Sequence, residues 1–478
     1  MRKYHVLRWY HPCNYQKPEM KKPLLSAKEY EQLKEFPVDN LSLVPKLINS
    51  NISVSKVEVN DEDVVAEMDT NRLLAQLKDK RVLNKNASTS RPIYYHDYSV
   101  KIPEGIDFKY QPGDSFGFYP KLSNEEVEFL AEKLGVSAEE SVRISGPVEA
   151  LSAFFPAKKI TDTTGSLVIK TGEILSRLDI KSFPKKAALR TLAESCQDEK
   201  ETAVLLFLSS RNGSDAYNRL RTELFSVQML LAAFESLKPT LEVMASVVGP
   251  LQPRFYSCCR KQREGEAASF QIVFNVSENS PESAPEFKVK GVCSSWLESL
   301  KIEDDHLPIQ QRSISHFRLP ETISHDSRPI IMIAAGTGVS PFMGFLEILK
   351  SQNLKTFTWL IFGFRNLQDD FIFEDELKSF KNDGTLSRLS LAVSRDPVES
   401  KMYVQDVIRR DKKEFYNLIT EKDALIYVCG DELKMIKGVN DVIVELILEN
   451  NSEMNQKEAE GILLKWTKEK KIIRDIWV

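Results

Sequence analysis

Cysteine is scarce and scattered. Six residues (Cys13, Cys196, Cys258, Cys259, Cys293 and Cys429) serve 478 positions, with no Cys-x-x-Cys pair. That excludes a zinc module built on paired thiols and a disulfide-stapled secreted scaffold, and a reducing cytoplasm is expected. An excess of one charge is lacking too. Lysine and arginine total 65 against 69 acidic residues, a net of −4, which leaves no basic footprint for nucleic acid or an anionic membrane. No apolar run reaches the ~18 residues of a membrane-spanning helix. The opening Met-Arg-Lys-Tyr-His-Val-Leu-Arg-Trp-Tyr has no signal-peptide core. His5, His11 and Cys13 lie close together but have no second ligand pair, so solvated surface rather than a metal is expected there. Glycine is absent from residues 1–70, which excludes an obvious phosphate-cradling loop in that stretch.

What is present falls into three parts. Residues 1–71 are polar, weakly patterned and broken by Pro12, Pro18, Pro23, Pro37 and Pro45, with one helix expected near Ser26–Glu35. Residues 72–325 open with strand patterns at Leu73–Val82, Ile93–Val100 and Ser115–Tyr119, the last preceded by the turn Tyr110-Gln111-Pro112-Gly113-Asp114. Helical periodicity then dominates about 121–245, at Asn124–Leu134, Lys185–Glu194 and Asn218–Leu237. Strands resume at Arg254–Cys258 and Gln271–Val276, and about 301–328 reads as coil. An antiparallel barrel interrupted by a helical insertion is predicted. From 326 to 478 strand and helix alternate: Pro329–Ala334, Pro341–Ser351, Thr356–Gly363, Phe371–Asn382, Leu389–Val393, Val404–Leu418, Ala424–Cys429 and Glu432–Glu449. Such alternation predicts a doubly wound parallel sheet, with ligands beyond the carboxyl ends of its strands.

The residues suited to chemistry stand in those loops. Gly336-Thr337-Gly338 joins a buried strand to a helix begun by Pro341, where free amides and the helix dipole favour an anion. Ser394 and Arg395, with Lys401, Tyr403, Val404 and Gln405, supply cations for a phosphate and an aromatic for a base. Arg254-Phe255-Tyr256-Ser257 alternates along a strand, placing Arg254 and Tyr256 on one face and Ser257 on the other. Gly291-Val292-Cys293-Ser294 leads into a helix that Ser294 or Ser295 is expected to cap. Each has an ordinary alternative: a plain strand-to-helix turn, a solvated charged loop, a packed strand, a capped helix without ligand. Trp477 either covers a ligand or fills a core crevice.

Taken in order, these segments resemble the NADPH-dependent diflavin reductases, which are built on a ferredoxin–NADP reductase module. The resemblance covers about residues 72–478. It implies an FAD-binding barrel followed by an NADP(H)-binding domain. FAD would be held by Arg254, Phe255, Tyr256, Ser257, Gly291, Val292, Cys293 and Ser294. NADPH would be held by Gly336, Thr337, Gly338, Ser394, Arg395, Lys401, Tyr403, Val404 and Gln405. Ser257, Cys429 and Asp475 would surround the reacting atoms, with Trp477 stacked on the flavin where nicotinamide must arrive. Leu251–Cys258, Phe183–Arg190, Tyr110–Asp114 and Asp475-Ile476-Trp477 look most like the branch of the family that serves cobalamin-dependent methionine synthase in methionine biosynthesis. That enzyme, or a flavodoxin-like FMN protein, is therefore the expected electron acceptor. A cytochrome, a cobalamin-processing protein and a non-catalytic scaffold are the alternatives. Departures are Ala334-Ala335 before the glycine loop, Cys259 and Arg260 in place of serines, and Gly438 in place of an acid. Arg260 could reach an FAD phosphate. Only about 70 residues precede the barrel, so FMN is not expected on this chain.

Overall fold

The computed structural model describes residues 8–9, 22–35, 41–46, 52–57, 72–85, 91–156, 158, 160, 165–262, 267–282, 288–303, 306–312, 316–395, 401–431 and 435–477. His5, His11 and Cys13 lie outside the described residues, as does the side chain of Trp477. The chain divides into two units. One gathers Met1–Arg72, Phe118–Arg254 and Ser277–Ser299; the other gathers Leu73–Gly117, Phe255–Val276 and Leu300–Val478.

The second unit begins with six strands: β1 (Leu74–Val82), β2 (Ile93–Lys101), β3 (Ser115–Phe118), β4 (Arg254–Ser257), β5 (Ser269–Asn275) and β6 (Leu307–Arg312). They hydrogen-bond in the order β5-β2-β1-β6-β3-β4, and β1 pairs antiparallel with β2 and β6. A single bridge, Cys258 to Ile272, joins the two outer strands and turns the sheet into the expected barrel. Aromatic rings fill it: Phe116 stacks on Phe270 at 3.9 Å between centroids, and Phe270 on Tyr98 at 5.3 Å. The Gln111–Asp114 turn is a type II turn, with Asp114 N donating to Gln111 O and Gly113 at φ 93°. No larger residue fits at Gly113, because a methyl there would sit 2.8 Å from the Phe317 carbonyl carbon. Strand β6 corrects the expectation of coil across 301–328. Pro308 and the polar Gln310 and Gln311 hid it, since a strand with one face toward solvent need not look apolar even between two neighbours.

The same unit continues with five parallel strands: β7 (Ile330–Ala335), β8 (Thr358–Phe364), β9 (Arg388–Val393), β10 (Leu425–Asp431) and β11 (Ile472–Trp477). Their order is β9-β8-β7-β10-β11, so strand order reverses between β7 and β10. Alternation along each strand feeds two cores. Ile330, Met332, Ala334, Tyr427 and Cys429 face helices α1 (Ser340–Ser351) and α2 (Glu374–Asn382). Ile331, Ile333, Ile426 and Val428 face α3 (Val404–Arg410), α4 (Lys412–Thr420), α5 (Lys437–Asn450) and α6 (Gln456–Lys468). Helices on both faces make the sheet doubly wound, as its apolar strands predict. The expected Val404–Leu418 helix is two, broken at Asp411. The expected Phe371–Asn382 helix starts only at Glu374, because Phe373 adopts a left-handed φ of 59°. The barrel packs on the α1–α2 side, through Tyr95, Cys259, Val273 and Phe317.

The first unit holds the insertion. Asn124–Leu134 is a helix opened by a Ser123–Glu126 capping box and closed by left-handed Gly135. The single helix expected over Asn218–Leu237 is Ser214–Thr222 and Val227–Ala233, because Leu224 takes a φ of 56° and Ser226 caps a fresh start. The insertion is not wholly helical: Ser53–Lys56, Ser141–Ser145 and Ser166–Lys170 form a three-stranded antiparallel sheet. The stretch before residue 72, polar on average, supplies core here. Leu24, Leu25, Leu41 and Ile52 are buried among the insertion's aliphatic residues, each worth about 1.5–3 kcal/mol. Arg219 anchors them by donating to Glu29 Oε2 and to Leu24 O, both at 2.8 Å.

Candidate active site

Three groups meet where β10 and β11 run side by side. Cys429 and Asp475 are direct partners in the parallel ladder, so their side chains leave the same face, toward the barrel. Ser257, at the end of β4, comes from the barrel and donates its hydroxyl to Asp475 Oδ2 at 2.6 Å. The Cys429 thiol lies 4.0 Å from the same oxygen. Burial pushes the Asp475 carboxyl above its ordinary range, while the Ser257 hydrogen bond and the charge of Arg312 pull it back. Burial, and then the Asp475 charge, hold the Cys429 thiol well above its ordinary value. Cys429 is therefore a neutral S–H donor and a small apolar floor, not a thiolate nucleophile. The trio can offer a hydroxyl oxygen and a carboxylate to a molecule bound against it.

The glycine loop lies one strand away. Gly336–Val339 forms a single 3₁₀ turn, Gly336 takes φ 54°, and α1 follows with Pro341 in its first turn. Gly338 passes over the end of β10 so closely that a methyl there would sit 2.9 Å from the Cys429 carbonyl carbon and closer still to its oxygen. Thr337 is half-buried between these glycines. The loop sits at the switch in strand order, where open α/β sheets take their ligands.

Two strands farther stand Ser394, Arg395, Lys401 and Tyr403. Ser394 N donates to Phe364 O and Arg395 N to Arg365 O, which fixes the exit from β9. Met402 N donates back to Val393 O, bringing Lys401 and Tyr403 beside Ser394 and Arg395. Lys401 Nζ rests 4.9 Å from the Tyr403 ring centroid, and Arg395, Lys401 and Tyr403 are all exposed. Val404 is buried beneath, against Gly363, and Gln405 fills the space a side chain at Gly438 would need, 3.2 Å from its would-be Cβ. A side chain at 438 would require the end of Gln405 to move by a few tenths of an ångström. From β9 to β10 is three strand spacings, about 14 Å.

The remaining expected residues lie on β4 and at the start of a helix of the first unit. Arg254 is exposed and Phe255, Tyr256 and Ser257 are half-buried along β4, with Tyr256 edge-on to Phe274 at 5.7 Å. In the other unit, Gly291 lies under Ser277: Gly291 N donates to Ser277 O, and the Ser294 hydroxyl accepts from Ser277 N and donates to Gly291 O. The helix already runs from Val292 to Ser299, so neither Ser294 nor Ser295 caps it. Cys293 is buried and Val292 half-buried. The Ser295 hydroxyl is buried with no partner among the described residues, an orphaned polar atom in a first helical turn suited to an anionic group. Arg260 does not reach for a phosphate. It forks onto Glu376 and Glu347, which tie it to α2 and α1. Arg312 is the charged neighbour of Asp475 that no sequence signal marks.

Residues 66–296 match the model of an FAD binding domain, and residues 332–441 that of an oxidoreductase NAD-binding domain. Mouse (Mus musculus) methionine synthase reductase is 32% identical over 405 residues, 78% of this chain and 57% of that protein. NADPH–cytochrome P450 reductase of Dictyostelium discoideum is 28% identical over 422 residues, 87% of this chain and 60% of that protein. The sulfite reductase flavoprotein alpha-component of Vibrio parahaemolyticus is 29% identical over 375 residues, 78% and 54% respectively. The chain thus spans little more than half the length of these relatives. Among the described residues no helix is long and apolar enough to cross a membrane.

Proposed function

The chain belongs to the NADPH-dependent flavoprotein reductase family, carrying its FAD-binding and NAD-binding domains, and on that premise we propose that it oxidises NADPH and passes the electrons through FAD to a protein acceptor. When bound, FAD supplies the ring that takes the hydride and gives its electrons on singly. The chain's own work is alignment and charge. Arg395 and Lys401 hold the 2′-phosphate that separates NADPH from NADH, with Ser394, Tyr403, Val404 and Gln405 seating the adenosine end. Gly336, Thr337 and Gly338 receive the pyrophosphate. Asp475, held by Ser257 and backed by Cys429, faces the nicotinamide with a carboxylate that favours the positive charge growing on that ring. Arg254, Phe255, Tyr256, Ser257, Gly291, Val292, Cys293 and Ser294 would hold FAD, and Trp477 would cover its ring ahead of nicotinamide.

The acceptor is proposed to be cobalamin-dependent methionine synthase, reached directly or through a flavodoxin-like FMN protein. The named methionine synthase reductases among the relatives support this. The Dictyostelium relative, matched over more of this chain, favours a cytochrome as the second reading. The observation that carries the catalytic proposal is the 2.6 Å hydrogen bond from Ser257 to Asp475 beside Cys429. Its test is the visible spectrum of protein loaded with FAD, followed by anaerobic NADPH. Bleaching of the flavin bands, then reoxidation by inactive methionine synthase but not by a cytochrome, is the expected result. A protein that takes up no FAD refutes the reading. Arg395→Ala should weaken NADPH by about 10–100-fold and leave NADH nearly unchanged; equal losses for both would refute the 2′-phosphate assignment.

A further inference from the structure

Phe255 precedes Ser257 by two residues on β4, so both side chains leave the same face of the strand. The Phe255 ring lies over β3 rather than beside it, because that strand offers Gly117 at the crossing. A methyl at Gly117 would stand 2.8 Å from a ring carbon. On this ring rests the guanidinium of Arg312, 4.0 Å from the centroid. Arg312 ends β6, which borders β3, so its side chain needs to cross only about one strand spacing, about 5 Å, to reach the ring that Phe255 lays over Gly117. Stacking fixes where its charge sits, since a guanidinium over an aromatic face is held by the ring quadrupole.

That charge acts on Asp475. Two groups contact the carboxylate, the Ser257 hydroxyl from β4 and the Cys429 thiol from β10; the Arg312 guanidinium from β6 rests on Phe255, two residues from Ser257 on the same face of β4. The first two are neutral, so Arg312 is the cation among them. We propose that Arg312 is a positioning residue for NADPH oxidation: parked on Phe255 across Gly117, it presents a fixed positive charge to Asp475 and so sets the charge that the Ser257–Asp475–Cys429 group offers to nicotinamide. The inference rests on the function proposed above, but its direct readout does not need turnover.

The test is an infrared titration of the protonated carboxyl band of Asp475 in the FAD-loaded protein, isolated by subtracting Asp475→Asn. Removing a cation disfavours the carboxylate, so Arg312→Ala should move the midpoint up by about 0.5 pH unit. Arg312→Lys keeps the charge but loses the planar stack, and should recover part of the shift. The acid limb of anaerobic flavin reduction by NADPH should move in the same direction. A midpoint unmoved by Arg312→Ala, in protein whose wild type NADPH does reduce, overturns the Arg312 assignment alone. Wild-type protein that NADPH leaves oxidised overturns the function it rests on, and this role with it. Arg312 is exposed, and Arg312→Gln gives a second neutral variant should alanine impair folding.

Discussion

Gly338→Ala is the most demanding single perturbation of the site. The added methyl meets backbone, not a side chain that could swing away: it would stand 2.9 Å from the Cys429 carbonyl carbon and 3.4 Å from Gly430 N. Ordinary contact begins near 3.4 Å, so the loop must retreat by about half an ångström to clear the carbon and about 1 Å to clear the oxygen. The strain of such overpacking costs about 1–3 kcal/mol. Retreat carries Gly336 and Thr337 away from the end of β10, and so away from where nicotinamide must lie against Cys429. A misplacement of about 1 Å at a reacting centre lowers a rate by about 100-fold. Rapid-mixing reduction of FAD-loaded protein by NADPH measures this directly, with thermal melting as the control for stability. Slower reduction at saturating NADPH, with FAD still bound, is expected. Wild-type affinity and rate in Gly338→Ala would refute the close passage of the loop over β10.

The other outcomes concern charge. Arg260→Ala removes a fork, 13% exposed, that binds Glu376 and Glu347, leaving two carboxylates facing each other. Their partial exposure limits the loss to about 1–3 kcal/mol, and melting should show Arg260→Lys recovering less than half. Asp475 has a folded-state value above its unfolded one, so its contribution to stability is greatest at low pH and is lost as pH rises through that raised value. Asp475→Asn should therefore melt higher than wild type at pH 8, with the gap closing toward pH 4, while reducing flavin at least about tenfold more slowly. A constant gap across that range would contradict a buried, strained carboxylate.

Elements with complete local instructions were legible in the sequence. The Asn124–Leu134 helix carries its own capping box and terminal glycine, and β7, β8 and β10 are apolar runs that only a doubly covered sheet explains. The glycine loop and the Arg395–Lys401 cluster were readable because their chemistry sits within a few neighbouring residues. What escaped depended on distant partners. Strand β6 is polar and contains proline, and only its pairing with β1 and β3 makes it a strand. Arg260 read as able to reach an FAD phosphate, because its partners Glu347 and Glu376 come from the distant α1 and α2. Arg312 has no local mark at all; its meaning comes from Gly117 and Phe255, on two other strands. Nor does the polar average of the first 71 residues disclose that Leu24, Leu25, Leu41 and Ile52 are buried.

The interleaving of the two units bears on how the chain is made. Strand β1 pairs with β6, Leu74 opposite Pro308, so about 230 residues separate the halves of one ladder. At synthesis rates of about 5–20 residues per second, the first strand waits on the order of 10–50 s for its neighbour. Until β5 emerges, β1 and β2 can pair only with each other, as a two-stranded ribbon with open edges. The insertion, rich in local helical contacts, can condense meanwhile. Slow barrel closure, and a demand for chaperones while those edges stay bare, follow from topology alone.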